Sequence, residues 1–409
     1  MEHIGIELEQ AVDIILQNGY EIESTENISI LEANGRILAE DIFAPLDIPP
    51  FHRSPLDGFA LRSEDLIDIT KEVPKTFQVV DCVYAGGYCS KEIKSGEVVR
   101  IMTGAPIPKG TDCVIRLEDV LEGQDENSTK IVVNMQLKPH ENICFQGEDI
   151  KKGDLTLQQG TKLTYIEQGI LSSFGMAQVT VYKKPKVVLF ATGDELVSPG
   201  NDLLPGKIYD SNLYMLYARL CEFGITPVLA KHLQDAPDHV VKAIQEECEI
   251  ADVIVTTGGV SVGDKDIFHE VIPMLGAKRL FWKVNIKPGA PAMFSIYNGK
   301  PMFHLSGNPF AAATTFELLV RPYLAKVSRD KALYAKSKKA ILEDHFIKNS
   351  NGRRFIRGIF KDGKVSVPPA EKHSSGMLAS MAGCNCFIDI PFGSGGLFKG
   401  SEVDIILLN

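Results

Sequence analysis

Three stretches of this 409-residue chain end an apolar run in a small or glycine-rich turn and then present polar side chains. They are ATGDEL with Gly193, Asp194 and Glu195, TTGGVSVGDKD with Gly258, Gly259, Ser261, Gly263, Asp264 and Asp266, and LSGNP with Ser306, Gly307, Asn308 and Pro309. Glycine lets the backbone approach a phosphate closely, and a helix N-terminus that follows favours negative charge. The carboxylates work against that, because beside a phosphate they repel the ligand unless a cation stands between. Mg²⁺ typically uses one or two carboxylates plus substrate phosphates. The combination predicts a phosphorylated or nucleotidylated ligand held through a metal. Asp264 and Asp266 could instead cap the helix that begins near Ile267; acids at two separate strand ends of one crevice favour the ligand role.

Other polar groups are less specific. FWKVNIKPGAP places Lys283 and Lys287 on one side of a strand by alternation, a pair able to hold an oxyanion or simply to be solvated. Trp282, the only tryptophan, reads as core. Asp57 in SPLDG, Thr103 in MTGAP, and Glu148 and Asp149 in FQGED sit in Gly/Pro turns, where such residues are commonplace. The chain has no nucleophile elbow, Walker A loop or G-x-G-x-x-G.

The elements that must position these groups follow from periodicity. Residues 6–19 read as a short amphipathic helix stopped by Gly19. From about 47 to about 145, short β-like runs alternate with Gly/Pro turns, as expected of a small β domain. From 185 the pattern changes to strand and helix in alternation, with near-continuous apolar strands: KPKVVLFATGDEL, ITPVLAKHL, ADVIVTTGG and PMFHLSGNP. Helices fall between them, one capped by Ser211 or Asn212 and another by Asp235 with Pro237 in its first turn. This is the signature of a parallel α/β sheet, whose ligands bind beyond the carboxyl ends of the strands. After about 328 the sequence is β-like again.

Composition narrows the class. Hydrophobic residues make up 44% and charged residues 23%, enough for ordinary globular cores, and 409 residues suggest several domains. A formal net charge of −10 argues against nonspecific nucleic-acid binding. No apolar run reaches the length of a membrane span, and the N-terminus lacks a secretory pattern, so a cytoplasmic protein is expected. The eight cysteines have no zinc spacing; only Cys384 and Cys386 are close, and reduced, idle thiols are expected.

Taken together the motifs resemble those of the molybdopterin molybdenumtransferases, the MoeA and gephyrin E-domain family. SPLDGFA, RIMTGAPIPKGTDCVI, GEDIKKGD, ATGDEL, IYDSN, TTGGVSVGDKD, FWKVNIKPGAP, GNP, GRRFIRG and SSGML follow in the family's order along nearly the whole chain. The resemblance implies a multidomain α/β plus β protein. A central three-layer α/β domain with a mostly parallel sheet, like that of the molybdopterin adenylyltransferases, would occupy 1–26 and 177–327. An extended connecting domain would take 27–46 and 146–176, a small β domain 47–145, and a C-terminal β-barrel-like domain 328–409. It implies a homodimer that inserts molybdate into adenylylated molybdopterin with Mg²⁺, releasing AMP, and that meets the adenylyltransferase and recipient molybdoenzymes.

By the same resemblance the functional acids fall on Asp57, Asp149, Glu195, Asp235 and Asp266, with Thr103 as the threonine and Glu195 and Asp266 as metal ligands. Substrate contacts fall on Gly193, Asp194, Asp210, Ser211, Gly258, Gly259, Ser261, Gly263, Lys283, Lys287, Pro288, Gly307, Asn308 and Pro309. Arg353, Arg357, Ser374 and Ser375 resemble the family's oxyanion contacts. The chain departs from the family at LSGNPFA, where Ser306 and Ala311 replace a proline and a serine, and at FHRSPLDG, with His52, Arg53 and Pro55-Leu56. Those departures leave a second reading, a paralogue that binds or carries molybdopterin or its cofactor without catalysis.

Overall fold

The computed structural model describes residues 3–261, 266–349 and 352–408. The chain forms two compact units, one of residues 1–27, 35–37 and 180–409, the other of 28–34 and 38–179.

The larger unit is built on a seven-stranded sheet. Its strands are β1 (His3–Ile6), β2 (Val187–Thr192), β3 (Leu229–Leu233), β4 (Val253–Thr257), β5 (Lys278–Val284), β6 (Met293–Tyr297) and β7 (Lys300–Leu305). They lie in the order β1-β5-β6-β7-β4-β2-β3. All neighbours run parallel except β6, which is antiparallel to both β5 and β7. Both faces are covered, which is why the strands read as unbroken apolar runs rather than alternating ones. Val187, Leu189 and Ala191 point to one face with Val253 and Val255. There they meet helices α1 (Leu8–Gln17), α2 (Asn212–Glu222), α5 (Pro309–Thr315) and α6 (Arg321–Val327). Val188, Phe190 and Ile254 point to the other, against α3 (Pro237–Cys248) and α4 (Phe268–Leu275). The sequence places the first helix at 6–19; it begins at Leu8, because Ile6 is taken by β1 in parallel register with Val284.

The C-terminal part of this unit closes into a barrel of β8 (Ser337–Leu342), β9 (Arg353–Lys361), β10 (Lys364–Ser366), β11 (Cys386–Ile390) and β12 (Glu402–Leu407). The ring runs β9-β10-β8-β12-β11 and returns to β9. Leu342, Ile356, Ile388 and Ile405 fill its interior, while Phe355 and Phe387 face outward and join the core around Phe310. A buried ion cluster ties the parts together. Glu317 bridges Arg219 at 2.6 Å and Arg321 at 2.8 Å, and Arg321 donates to the carbonyls of Leu333 and Leu407.

The smaller unit carries a five-stranded sheet in the order Cys113–Arg116, Gly58–Leu61, Glu97–Ile101, Lys75–Val83, Lys130–Val133. Phe59, Phe77, Val98 and Ile115 lead its core. The rest of the unit pairs Ile42–Phe43 with Leu155–Leu157 and adds a helix, Tyr165–Ser173, closed by a capping box between Thr164 and Glu167.

His304 is fully buried in the middle of the large sheet, between the hydroxyls of Thr256 (3.0 Å) and Ser295 (2.8 Å). Desolvation pushes its pKa down to about 3. The unfolded chain therefore binds a proton here that the folded chain refuses, in the window between the ordinary imidazole value and about 3. The His304 contribution is intact above that window and is lost as pH falls through it. Thermal unfolding followed from pH 7 to pH 4 should show this loss, and His304→Gln, although less stable at pH 7, should show a shallower pH slope.

Candidate active site

The carboxyl ends of β2, β4 and β7 open into one cleft of ≈ 1500 Å³, floored by their three turns and walled on the far side by the barrel. The turns meet at Gly258. Its φ of +94° and its closeness to Thr192 leave no room for a side chain: a Cβ there would stand 2.3 Å from the Thr192 carbonyl oxygen. A Cβ on Gly307, the corresponding glycine after β7, would lie 3.6 Å from the Gly258 Cα.

Most residues that the sequence singles out on these turns line the cleft. Gly193, Glu195, Ser211, Asp235, Gly258, Gly259, Ser261 and Asp266 do so from the central sheet, with Lys287, Pro288, Gly307, Asn308 and Pro309. Ser374 and Ser375 line it from the barrel side. Gly263 lies outside the described residues, as does Asp264. The two acids Asp194 and Asp235 clasp the ends of β2 and β3: the N–H of each donates to the carboxylate of the other, at 3.2 and 3.1 Å.

Capping differs from the sequence reading. Asp235 does not occupy the N-cap position of α3, which is Ala236. Ser211 makes no capping bond either. The bond to the first turn of α2 comes instead from Asp210, whose Oδ1 accepts from Leu213 N at 3.1 Å. Asp210 is buried behind the cleft rather than lining it, and desolvation raises its pKa. The N-cap position of α4 is Ile267 rather than Asp266.

The cationic residues are rearranged most. Alternation predicts Lys283 and Lys287 on one side of one strand. In the structure β5 ends at Val284, Lys283 has φ +66°, and its ammonium lies 4.2 Å from the Trp282 ring centroid, outside the cleft lining. Lys287 belongs to a separate two-residue strand, Ile286–Lys287, which runs parallel to β9 with Lys287 opposite Arg354. Both line the cleft. Arg354 makes no ion pair among the described residues, and burial lowers its pKa. Two cations directly opposite each other repel unless an anion joins them.

Arg353 and Arg357, by contrast, are turned into the protein. Arg353 forks onto Asp389 at 2.7 and 2.9 Å and also reaches Glu9. Arg357 is fully buried over the Phe310 ring. It donates to the carbonyls of Ser374 (2.7 Å) and Met377 (2.6 Å) and to Ser380 Oγ, and so shapes the serine loop from behind.

Two further side chains hold the turns; the sequence offers Asn212 only as a cap for α2 and does not single out His232. Asn212 Nδ2 donates to Gly307 O (2.8 Å) and Thr257 Oγ1 (3.1 Å), fixing the β7 turn from the start of α2. His232 Nε2 meets Gly193 O at 2.9 Å. Among the described residues no three His, Cys, Asp or Glu side chains gather as a metal cage.

In the smaller unit, Asp57 is exposed on the turn before Gly58 and accepts from Thr103 N and Oγ1, both at 2.7 Å. Those bonds, the backbone one first, hold its carboxyl below the ordinary range. Asp149 is exposed, with its N–H on Ile48 O.

The family models for the MoeA N-terminal region (domain I and II), a probable molybdopterin binding domain, and the MoeA C-terminal region (domain IV) match residues 6–175, 189–326 and 339–408. The chain belongs to the MoeA family. It is 38% identical over 405 residues to a molybdopterin molybdenumtransferase of Staphylococcus epidermidis, covering 98% of this chain and 95% of that protein. To a molybdopterin molybdenumtransferase of Bacillus subtilis it is 36% identical over 386 residues, with 94% of this chain and 90% of that protein covered. Among solved structures, a molybdopterin biosynthesis MoeA protein from Pyrococcus horikoshii OT3 superposes with a TM-score of 0.80 at 33% identity, covering 98% of this chain and all of that one. These relatives place the chain among transferases of molybdenum-cofactor biosynthesis. No helix among the described residues is long and apolar enough to cross a membrane.

Gly258→Ala should collapse the junction of the three turns. The strained φ and the clash with Thr192 predict a loss of more than about 1 kcal/mol, read as a lower thermal midpoint together with loss of ligand binding. A variant that folds and binds like wild type would show that the turns do not depend on this close approach.

Proposed function

We propose that this chain is a molybdenum insertase: it binds adenylylated molybdopterin and molybdate, cleaves the pyrophosphate link, releases AMP and leaves molybdenum on the dithiolene sulfurs. The observation that supports this reading is the coexistence, in one cleft, of glycine-rich turns, separate carboxylates and an opposed pair of cations. The turns after β2, β4 and β7 would hold the pyrophosphate. Glu195 and Asp266 would hold Mg²⁺, which when bound would neutralise phosphate charge and polarise the bridging oxygen. Lys287 and Arg354, with Ser374 and Ser375 beside them, would hold the tetraoxo anion. Arg354 here takes the place that the sequence gives to Lys283, Arg353 and Arg357. Asn308, Ser211 and Asp235 would orient the rest of the ligand. The cytoplasm is the compartment proposed, with the adenylyltransferase and recipient molybdoenzymes as transient partners.

The four-part organisation given under Sequence analysis is proposed to hold, in a homodimer. Asp57, Thr103 and Asp149 would then serve the reaction from the partner protomer. Asp57→Ala and Asp266→Ala homodimers should both be inactive. Purified mixed dimers should regain about half of the activity, by counting intact sites in a two-fold pair; no recovery despite normal dimerisation would remove the shared-site assignment.

Replacing Asp266 by Asn keeps the shape and removes the charge. AMP release should fall by at least about 100-fold, the scale of one lost contact to the reacting charge, with an unchanged thermal midpoint. Arg354→Ala should instead raise the molybdate concentration that gives half-maximal rate, leaving affinity for the nucleotide unchanged.

A further inference from the structure

The turn that follows β4 has its carbonyls drawn to one side. Gly259 O accepts from Phe268 N at 3.1 Å, Val260 O accepts from Trp282 Nε1 at 3.1 Å, and Ser261 O meets His269 Nε2 at 3.2 Å. In a trans peptide the N–H of the next residue points opposite to the carbonyl. Tying back the carbonyls of Gly259 and Val260 therefore turns the N–H groups of Val260 and Ser261 the other way. Both residues line the cleft, and neither N–H has a partner among the described residues. Two adjacent unpaired amides form a nest for an oxyanion.

The donors behind the turn are themselves fixed. A carbonyl can only accept, so His269 Nε2 carries the proton that it shares with Ser261 O. A guanidinium can only donate, so His269 Nδ1 accepts from Arg279 Nη1, at 2.9 Å. The two contacts permit one tautomer of a neutral imidazole. That ring packs against Trp282 in a T-shaped arrangement, with centroids 4.5 Å apart and planes at 83°. Trp282 thus touches both the histidine and the turn.

We propose that His269, held in a single tautomer by Arg279, is a positioning residue: with Trp282 it keeps the carbonyl edge of the 258–261 turn out of the cleft, so that Val260 and Ser261 N–H bind an oxyanion of the diphosphate class. The class of ligand rests on the insertase reading; the clamp on the turn does not.

Two substitutions separate the polar relay from mere packing. His269→Phe keeps a ring against Trp282 and loses both polar contacts. His269→Gln can accept from Arg279 through Oε1 and donate to Ser261 O through Nε2. Hydrogen–deuterium exchange of the full chain without ligand reads the clamp, at the peptide that contains the 258–261 turn. Calorimetric titration with inorganic pyrophosphate and Mg²⁺ reads the nest, and Trp282, the chain's only tryptophan, reports the same titration by its fluorescence. The Phe variant should exchange faster at the turn and bind pyrophosphate about tenfold more weakly, the effect of roughly one misoriented hydrogen bond. The Gln variant should stay within about threefold of wild type, a difference well under one such bond. A Phe variant indistinguishable from wild type in both measurements, or a Gln variant as impaired as Phe, overturns the relay while leaving the insertase reading in place. Wild-type protein that binds no pyrophosphate overturns the oxyanion assignment and with it the phosphate part of that reading; faster exchange in the Phe variant alone would then show a clamp without that ligand.

Discussion

The site depends on one steric constraint: the chain must pass so close to itself at Gly258 that only hydrogen fits. A parallel sheet splays its strands through twist, and turns at neighbouring carboxyl ends normally diverge. Here β2 and β4 stay together past their last ladder pair, with Thr192 against Gly258 and Gly307 on the other flank. That convergence brings glycine turns, carboxylates and the barrel's cations into one cleft. It also explains the polar groups beneath the cleft floor. Thr256, Thr257, Ser295 and His304 would be costly in an apolar core, but each is hydrogen-bonded there.

Electrostatically the cleft is divided. Glu195, Asp235 and Asp266 come from the central sheet, and Lys287, Lys348 and Arg354 come from the opposite wall, where Glu371 is the one acid among the described lining residues. A ligand that satisfies both must carry negative charge next to Lys287 and Arg354 and must bring or tolerate a cation next to Glu195 and Asp266. Side-chain donors behind the turns (His232, Trp282, His269 and Asn212) keep backbone carbonyls of the β2, β4 and β7 turns engaged.

Much of this was legible in the sequence wherever the signal was local. Buried strands ending in Gly-Gly or Gly-Asp, and the alternation of helix and strand, follow from residue type and period alone, and the structure has them in place. The misreadings share a cause in register. Lys283 was paired with Lys287 by alternation, but its positive φ breaks the alternation within the same stretch. Arg353 and Arg357 resemble oxyanion contacts in the sequence, where Arg354 is not singled out; pairing with Ile286–Lys287 and with β11 sets which side each faces and leaves Arg354 on the cleft. Asp235 had the position of a cap, yet its carboxylate bonds across to Asp194. His269 and Arg279 gave no signal, and Asn212 was read only as a cap, because their partners lie on other elements and are brought near only by the fold.

The central claim is that the cleft carries out insertion rather than storage of a finished cofactor, the alternative raised by the Ser306 and Ala311 departures. A single-turnover experiment decides between them: wild-type protein in excess over adenylylated molybdopterin, with molybdate and Mg²⁺, quenched over time and analysed for AMP and for molybdenum on the pterin. The account predicts that both products appear together, in equal amounts, and only when molybdate and Mg²⁺ are present. Tight binding of the nucleotide with no AMP released over the whole time course would contradict it.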